Sequence, residues 1–175
     1  KGMNNKYKPG NPEEKSINLG PLARKHLMQS LNDQIKNAES HGAHLRYSSN
    51  DLPEKGYFSM PVIIENIHRN MRLYAEESFG PAASFYRYEK EEIMLHLAND
   101  TAYGLGASVW SDDIDEALKI GKQIQSGTVS INGMVKSDPR LPFGGVKQSG
   151  YGREMSDLGI TEFTNIKTYN IFNGR

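Results

Sequence analysis

The tightest constraint on the fold of this chain is an alternation of strand-like and helix-like segments at crossover length. Ala82 to Tyr88 alternates small and aromatic residues as a strand does, and Glu89 to Leu97 then switches to helical spacing through Ile93, Leu95 and Leu97. Ala107 to Trp110 reads as the next strand and enters a helix at Ser111, where Asp112, Asp113, Asp115 and Glu116 suit the positive end of the helix dipole. Ala117, Leu118, Ile120 and Ile124 carry that helix to Ser126 and Gly127, and Thr128 to Asn132 reads as a buried strand. Strands joined by helices in this way run parallel, because a parallel pair needs a crossover of about a dozen residues. The pattern predicts an α/β fold with a largely parallel sheet and flanking helices.

Elsewhere the signals are more local. Leu22, Leu27, Leu31, Ile35 and Ala38 form an apolar stripe from Pro21 to about Gly42, the mark of an amphipathic helix ended by glycine. Gly42 to Tyr47 is a short strand candidate. Tyr57 to Ile67 is rich in β-branched and aromatic residues, but Pro61 predicts an edge or bulged strand there. Residues 1 to 20, with Pro9, Gly10, Pro12 and Gly20, read as an irregular lead-in. Glu162 to Phe172 is strand-like through Phe163, Ile166, Tyr169 and Ile171, and is suited to pairing with another subunit's sheet edge.

Composition removes several classes of function. Lys plus Arg and Asp plus Glu each number 21, so no bulk field draws the chain to nucleic acid or to an anionic membrane surface. No apolar run approaches the ~20 residues needed to cross a bilayer, and the reading is of a cytoplasmic protein. With no cysteine in 175 residues, disulfides, thiolate metal sites and a cysteine nucleophile are all absent from this stretch. His41 and His44 lack a third ligand at matching spacing, so no metal site is expected.

From Gly133 to Gly152 runs a glycine-rich loop longer than most connections, and such loops are commonly functional. Its core, Pro142-Phe143-Gly144-Gly145-Val146-Lys147-Gln148-Ser149-Gly150-Tyr151-Gly152-Arg153-Glu154, superficially resembles a phosphate cradle. A P-loop, however, sets lysine and Ser or Thr directly after its second glycine, and here Tyr151 follows Gly150. An independent nucleotide binder built on Gly144 and Gly145 is therefore disfavoured. On the residues alone, Phe143 is either a cavity wall held by the flexible Gly144 and Gly145 or a core side chain beside an ordinary turn. Glu77, before a Gly-Pro turn, reads on the residues alone as a solvated surface acid.

This segment resembles the C-terminal signature of the aldehyde dehydrogenase superfamily, which lines the substrate tunnel. Glu76-Glu77-Ser78-Phe79-Gly80-Pro81, which starts 66 residues before Pro142, is similar to a second family stretch. Ala98-Asn99-Asp100-Thr101-Ala102-Tyr103-Gly104-Leu105 is similar to a third, and Asn18-Leu19-Gly20-Pro21-Leu22 to the segment opening the helix after the nucleophile strand. Ile131-Asn132-Gly133, Ser137-Asp138 and Pro142-Phe143 look most like succinate-semialdehyde dehydrogenases.

The resemblance implies the C-terminal half of the catalytic domain over residues 1–161 and an oligomerisation strand and tail over 162–175. It implies that Glu77 accepts hydrogen bonds from the nicotinamide ribose and that Phe79 packs near the nicotinamide of NAD or NADP. It implies that Phe143 lines the substrate pocket and that Ser137 meets the distal carboxylate of a small anionic aldehyde. On the residues alone Ser137 is as readily a plain loop serine. Arg140 is left to solvent, and Arg153-Glu154 reads as an ion pair at a helix start, with a proton-passing carboxylate the alternative. In the family a cysteine thiolate attacks the aldehyde and a glutamate activates water. Both are expected upstream of Lys1, with the dinucleotide-binding domain, so the chain alone is expected to be inactive and to bind no cofactor tightly. The partners this implies are an aldehyde, a nicotinamide cofactor and further copies of the chain in a homo-oligomer, while the reading from another class is a non-catalytic module whose terminal strand serves assembly.

Overall fold

The computed structural model describes residues 7–47 and 51–174, and its contacts divide the chain into two compact units, 1–87 and 88–175. The first unit is built on helix α1 (Lys25–Ser40) and strands β1 (His44–Tyr47), β2 (Val62–Glu65) and β3 (Ala82–Phe85), with a one-turn helix α2 (Arg72–Ala75) before β3. The second holds α3 (Glu91–Asn99), β4 (Gly106–Val109), α4 (Ile114–Gly121), β5 (Thr128–Ile131), a 3-10 turn (Lys147–Ser149) and α5 (Ser156–Thr161). Strands β2 and β3 pair in parallel, as do β4 and β5, while β1 runs antiparallel to β2. The α/β fold with a largely parallel arrangement is what the alternation predicts.

In the first unit the apolar stripe of α1 becomes a core. Leu31, Ile35 and Ala38 bury against Val62 and Ile64 of β2 and against Ile67, Met71 and Leu73. His41 ends the helix, its Nδ1 donating to the Asn37 carbonyl at 2.7 Å. One expectation is corrected. Strand β2 is central rather than at an edge, in the order β1-β2-β3. Pro61 lies one residue ahead of the ladder, so its missing N–H is not required, and Val62 makes the first bond, donating to the Pro81 carbonyl at 2.9 Å.

In the second unit Val109, Ala117 and Ile120 form the core, with Met94, Leu95, Ile124, Val129 and Ile131 packed around them. Helix α4 starts three residues later than the acidic run suggests, because Asp113 is its cap and accepts from the Glu116 amide at 3.0 Å. At the end of the chain, residues 162–174 have no strand partner within it. Phe163, Ile166, Tyr169, Ile171 and Phe172 are all exposed, and a strand without a ladder neighbour gains no backbone pairing to hold it extended. Among the described residues, no helix is long and apolar enough to cross a membrane.

Ile64 is fully buried at the centre of the first unit's core. Ile64→Ala is expected to lower stability by about 2–5 kcal/mol, read as a drop in denaturant midpoint. A midpoint equal to the parent's would contradict this placement.

Candidate functional site

The second unit positions the glycine-rich loop through backbone contact. Gly104, just before β4, is buried, and its carbonyl accepts from both Gly127 (2.9 Å) and Val146 (3.0 Å). Its own amide donates to the Ser149 hydroxyl at 3.0 Å, and Gln148 donates to the Ala102 carbonyl at 2.9 Å. A side chain at Gly127 would collide with the carbonyl of Gly144, and one at Gly145 would lie 2.5 Å from the Ser149 Cβ. Only glycine allows so close an approach of two backbone segments.

Lys147 explains the lysine in this loop without any phosphate. Its ammonium donates to the Asn99 carbonyl at 2.8 Å and the Thr101 carbonyl at 3.0 Å, at the C-terminal end of α3, where a cation meets the negative pole of the helix. Lys147 takes a left-handed φ of 55°, a cost that these two charge-assisted bonds help to offset. Asn99 continues the connection: its amide donates to the Gln123 carbonyl at 2.9 Å and its oxygen accepts from Gln125 at 2.8 Å. The stretches 98–105 and 142–154 are thereby one hydrogen-bonded assembly.

Phe143 pairs with Glu154 through two backbone bonds of 2.9 and 2.7 Å, and lines a cavity of about 300 Å³ with Gly144, Gly145, Tyr151 and Arg153. Phe143 is half-buried there and belongs to neither core cluster. Ser137 is exposed and does not line that cavity. Arg140 is held by its neighbour: it meets Asp138 through Nε at 2.9 Å and Nη2 at 2.6 Å, and this bond holds the Asp138 carboxyl below its usual range. Arg153 is not paired with Glu154 as expected. Its guanidinium donates to the carbonyls of Gly145 (2.9 Å) and Gly152 (2.8 Å), because glycine carbonyls unshielded by side chains are within its reach, and Glu154 is exposed rather than buried.

In the first unit Glu77 and Phe79 share the turn between α2 and β3. Phe79 is 58% exposed. Glu77 is exposed and, among the described residues, its carboxylate has no partner, although its main-chain carbonyl accepts from Gln34 Nε2 at 3.2 Å. The same amide donates to Glu76 Oε2 at 2.9 Å, and Arg72 closes on that carboxylate from α2 through Nε (2.8 Å to Oε1) and Nη2 (2.8 Å to Oε2). The Arg72 bond first, and the Gln34 bond second, hold the Glu76 carboxyl below its ordinary range. Gln34 is a residue that the sequence reading passes over. Its signal was available, since it occupies a buried position of the α1 stripe, three residues after Leu31 and four before Ala38.

Comparison with known proteins gives a consistent result. Residues 3–169 match the aldehyde dehydrogenase family. The succinate-semialdehyde dehydrogenase (NADP+) 1 of Mycobacterium ulcerans (strain Agy99) is 42% identical over 159 residues, which is 91% of this chain and 35% of that protein. A crystal structure of succinic semialdehyde dehydrogenase from Streptococcus pyogenes in complex with NADP+ superposes with a TM-score of 0.86 at 39% identity, covering 94% of this chain and 37% of that one. An aldehyde dehydrogenase of Mycobacterium tuberculosis complexed with NAD+ gives a TM-score of 0.85 at 33% identity, covering 94% and 34%. The chain spans about a third of the length of the curated relatives it matches.

Two outcomes follow from this geometry. Gly127→Ala is expected to cost about 1–3 kcal/mol through overpacking against Gly144, seen as a lower thermal midpoint; an unchanged midpoint would show that the two segments are not in contact. The depressed Glu76 carboxyl contributes stability that is present above its unfolded-state pKa and lost as pH falls through its folded-state value. At 43% side-chain exposure that contribution is small. Unfolding midpoints measured from about pH 6 down to about pH 3 should fall slightly less steeply in Glu76→Gln, and a steeper fall in the variant would reverse the assignment.

Proposed function

The chain belongs to the aldehyde dehydrogenase family, and from that membership we propose that it is the C-terminal part of a cytoplasmic NADP- or NAD-dependent enzyme that oxidises succinate semialdehyde or a similar small anionic aldehyde to the acid. In this reading residues 1–161 belong to the catalytic domain and 162–175 serve assembly into a homo-oligomer. The substrate class is supported by the names of the relatives, and the choice of cofactor by the NADP+ and NAD+ held by solved neighbours. Exposure of Phe163, Ile166, Ile171 and Phe172 in the terminal segment supports its role in assembly.

The observation that carries the reading is the state of Glu77, whose backbone is anchored by Gln34 while its carboxylate oxygens are left unengaged among the described residues. Two such oxygens suit the adjacent hydroxyls of a ribose, both of which donate. The exposed ring of Phe79 offers an apolar face to a flat heteroaromatic ring. The nicotinamide cofactor, when bound, supplies the hydride acceptor. Phe143 walls the substrate pocket, and the Ser137 hydroxyl donates to the distal carboxylate of the aldehyde. The chain has no cysteine to capture the aldehyde covalently, so alone it turns over no substrate.

The purified chain, assayed with succinate semialdehyde and either cofactor for formation of reduced nicotinamide, is expected to be silent. The full-length protein containing it is expected to turn over, with the cofactor KM raised roughly tenfold in Glu77→Gln. Turnover by the isolated chain, or a full-length protein inert toward succinate semialdehyde and related anionic aldehydes, would overturn the proposal.

A further inference from the structure

We infer that Gln34, buried on α1, is the positioning residue for the cofactor-binding acid: its side-chain amide sets the turn that carries Glu77 and thereby tunes affinity for the nicotinamide cofactor. This rests on the reading of Glu77 as the ribose-binding acid.

Gln34 is only 3% exposed and lies among Leu31, Ile35 and Ala38, where an apolar side chain would satisfy packing alone. A polar group in that place is retained at a cost unless its hydrogen bonds are made. Both groups it meets are acceptors, the Glu76 carboxylate at 2.9 Å and the Glu77 carbonyl at 3.2 Å, so the NH2 end of the amide faces the turn. The opposite orientation would set an acceptor against two acceptors.

The two bonds have different consequences. The one to Glu76 joins the Arg72 clamp and fixes the residue before the acid, while the one to Glu77 fixes the acid's own carbonyl. Neither engages the Glu77 carboxylate. The helix therefore holds the side chain of the residue before the acid and the main-chain carbonyl just after it, and leaves the functional oxygens available. Geometry held in advance lowers the ordering cost of binding, and the gain appears as cofactor affinity.

The test is made in the full-length enzyme with NADP+ as probe. Gln34→Met keeps the volume and removes both donors, and is expected to raise the cofactor KM about fivefold with kcat and the aldehyde KM changed little. Combined with Glu77→Gln, it should add almost nothing further, because a residue that acts through another is silent once that other is removed. Glu76→Ala, a surface change that removes one arm of the clamp and leaves the core intact, is the second probe and is expected to raise the cofactor KM about twofold. A Gln34→Met effect that persists in full beside Glu77→Gln, or equal increases in the cofactor and aldehyde KM, would show a merely structural role and overturn the inference. No change in cofactor KM for either Gln34→Met or Glu76→Ala would overturn it as well. If Glu77→Gln itself leaves the cofactor KM unchanged, the ribose reading of Glu77 fails, and the role of Gln34 falls with it.

Discussion

The second unit depends on one close contact of main chain with main chain, where Gly127 meets the carbonyl of Gly144 with no side chain between them. Because β5 begins at the next residue, Thr128, this contact places the glycine-rich loop directly against the start of a core strand. Gly104 completes the junction by accepting from both segments through one carbonyl. A methyl group at this point would push the loop away from Gly104, and with it the bonds of Lys147 to α3 and the wall that Phe143 gives to its cavity. The glycines are thus a packing requirement before they are a feature of any pocket.

The first unit reaches a comparable result by different means. Its turn is short, and what holds it is a buried amide from a neighbouring helix with an ion pair closing on the same carboxylate. Buried polar groups are costly when incompletely bonded, so such an anchor specifies one arrangement of the turn rather than many. The exposed part of the clamp, Arg72 with Glu76, adds little stability of its own and serves chiefly to orient.

Much of the fold was legible because it follows from period and spacing. The stripe from Leu27 to Ala38 shows as a helix, and the parallel β4–β5 pair follows from its helical crossover, whereas β2 and β3 are joined through a single helical turn that no periodicity marks. Pro61 misled because a proline is excluded from the ladder but not from the position before it, and sequence alone does not locate that boundary. For the terminal segment, the apolar residues Phe163, Ile166, Tyr169 and Ile171 describe side chains alone, while a strand also needs a neighbour to supply its hydrogen bonds, and none lies within the chain. At the candidate site, motif resemblance gave the positions of Glu77, Phe79, Ser137 and Phe143. It gave nothing about Gln34, nor about Lys147 and Arg153 as donors to carbonyls, because those roles are bonds to main chain, for Gln34 and Lys147 across long sequence separations.

These bonds to main chain divide the labour within each loop. Gln34, Asn99, Lys147 and Arg153 donate to backbone carbonyls, and what they hold is the path of the chain whatever side chains it carries. Glu77 and Phe79 project from one such held path, and they and Ser137 are exposed, with no core packing dependent on them. A substitution at an exposed position on a fixed backbone changes what a loop recognises at little cost to stability, whereas a substitution at an anchor changes the path itself. A substitution at exposed Ser137 is therefore expected to leave the fold undisturbed, whereas changes at Lys147 or Gln34 alter the path of the chain that each one holds.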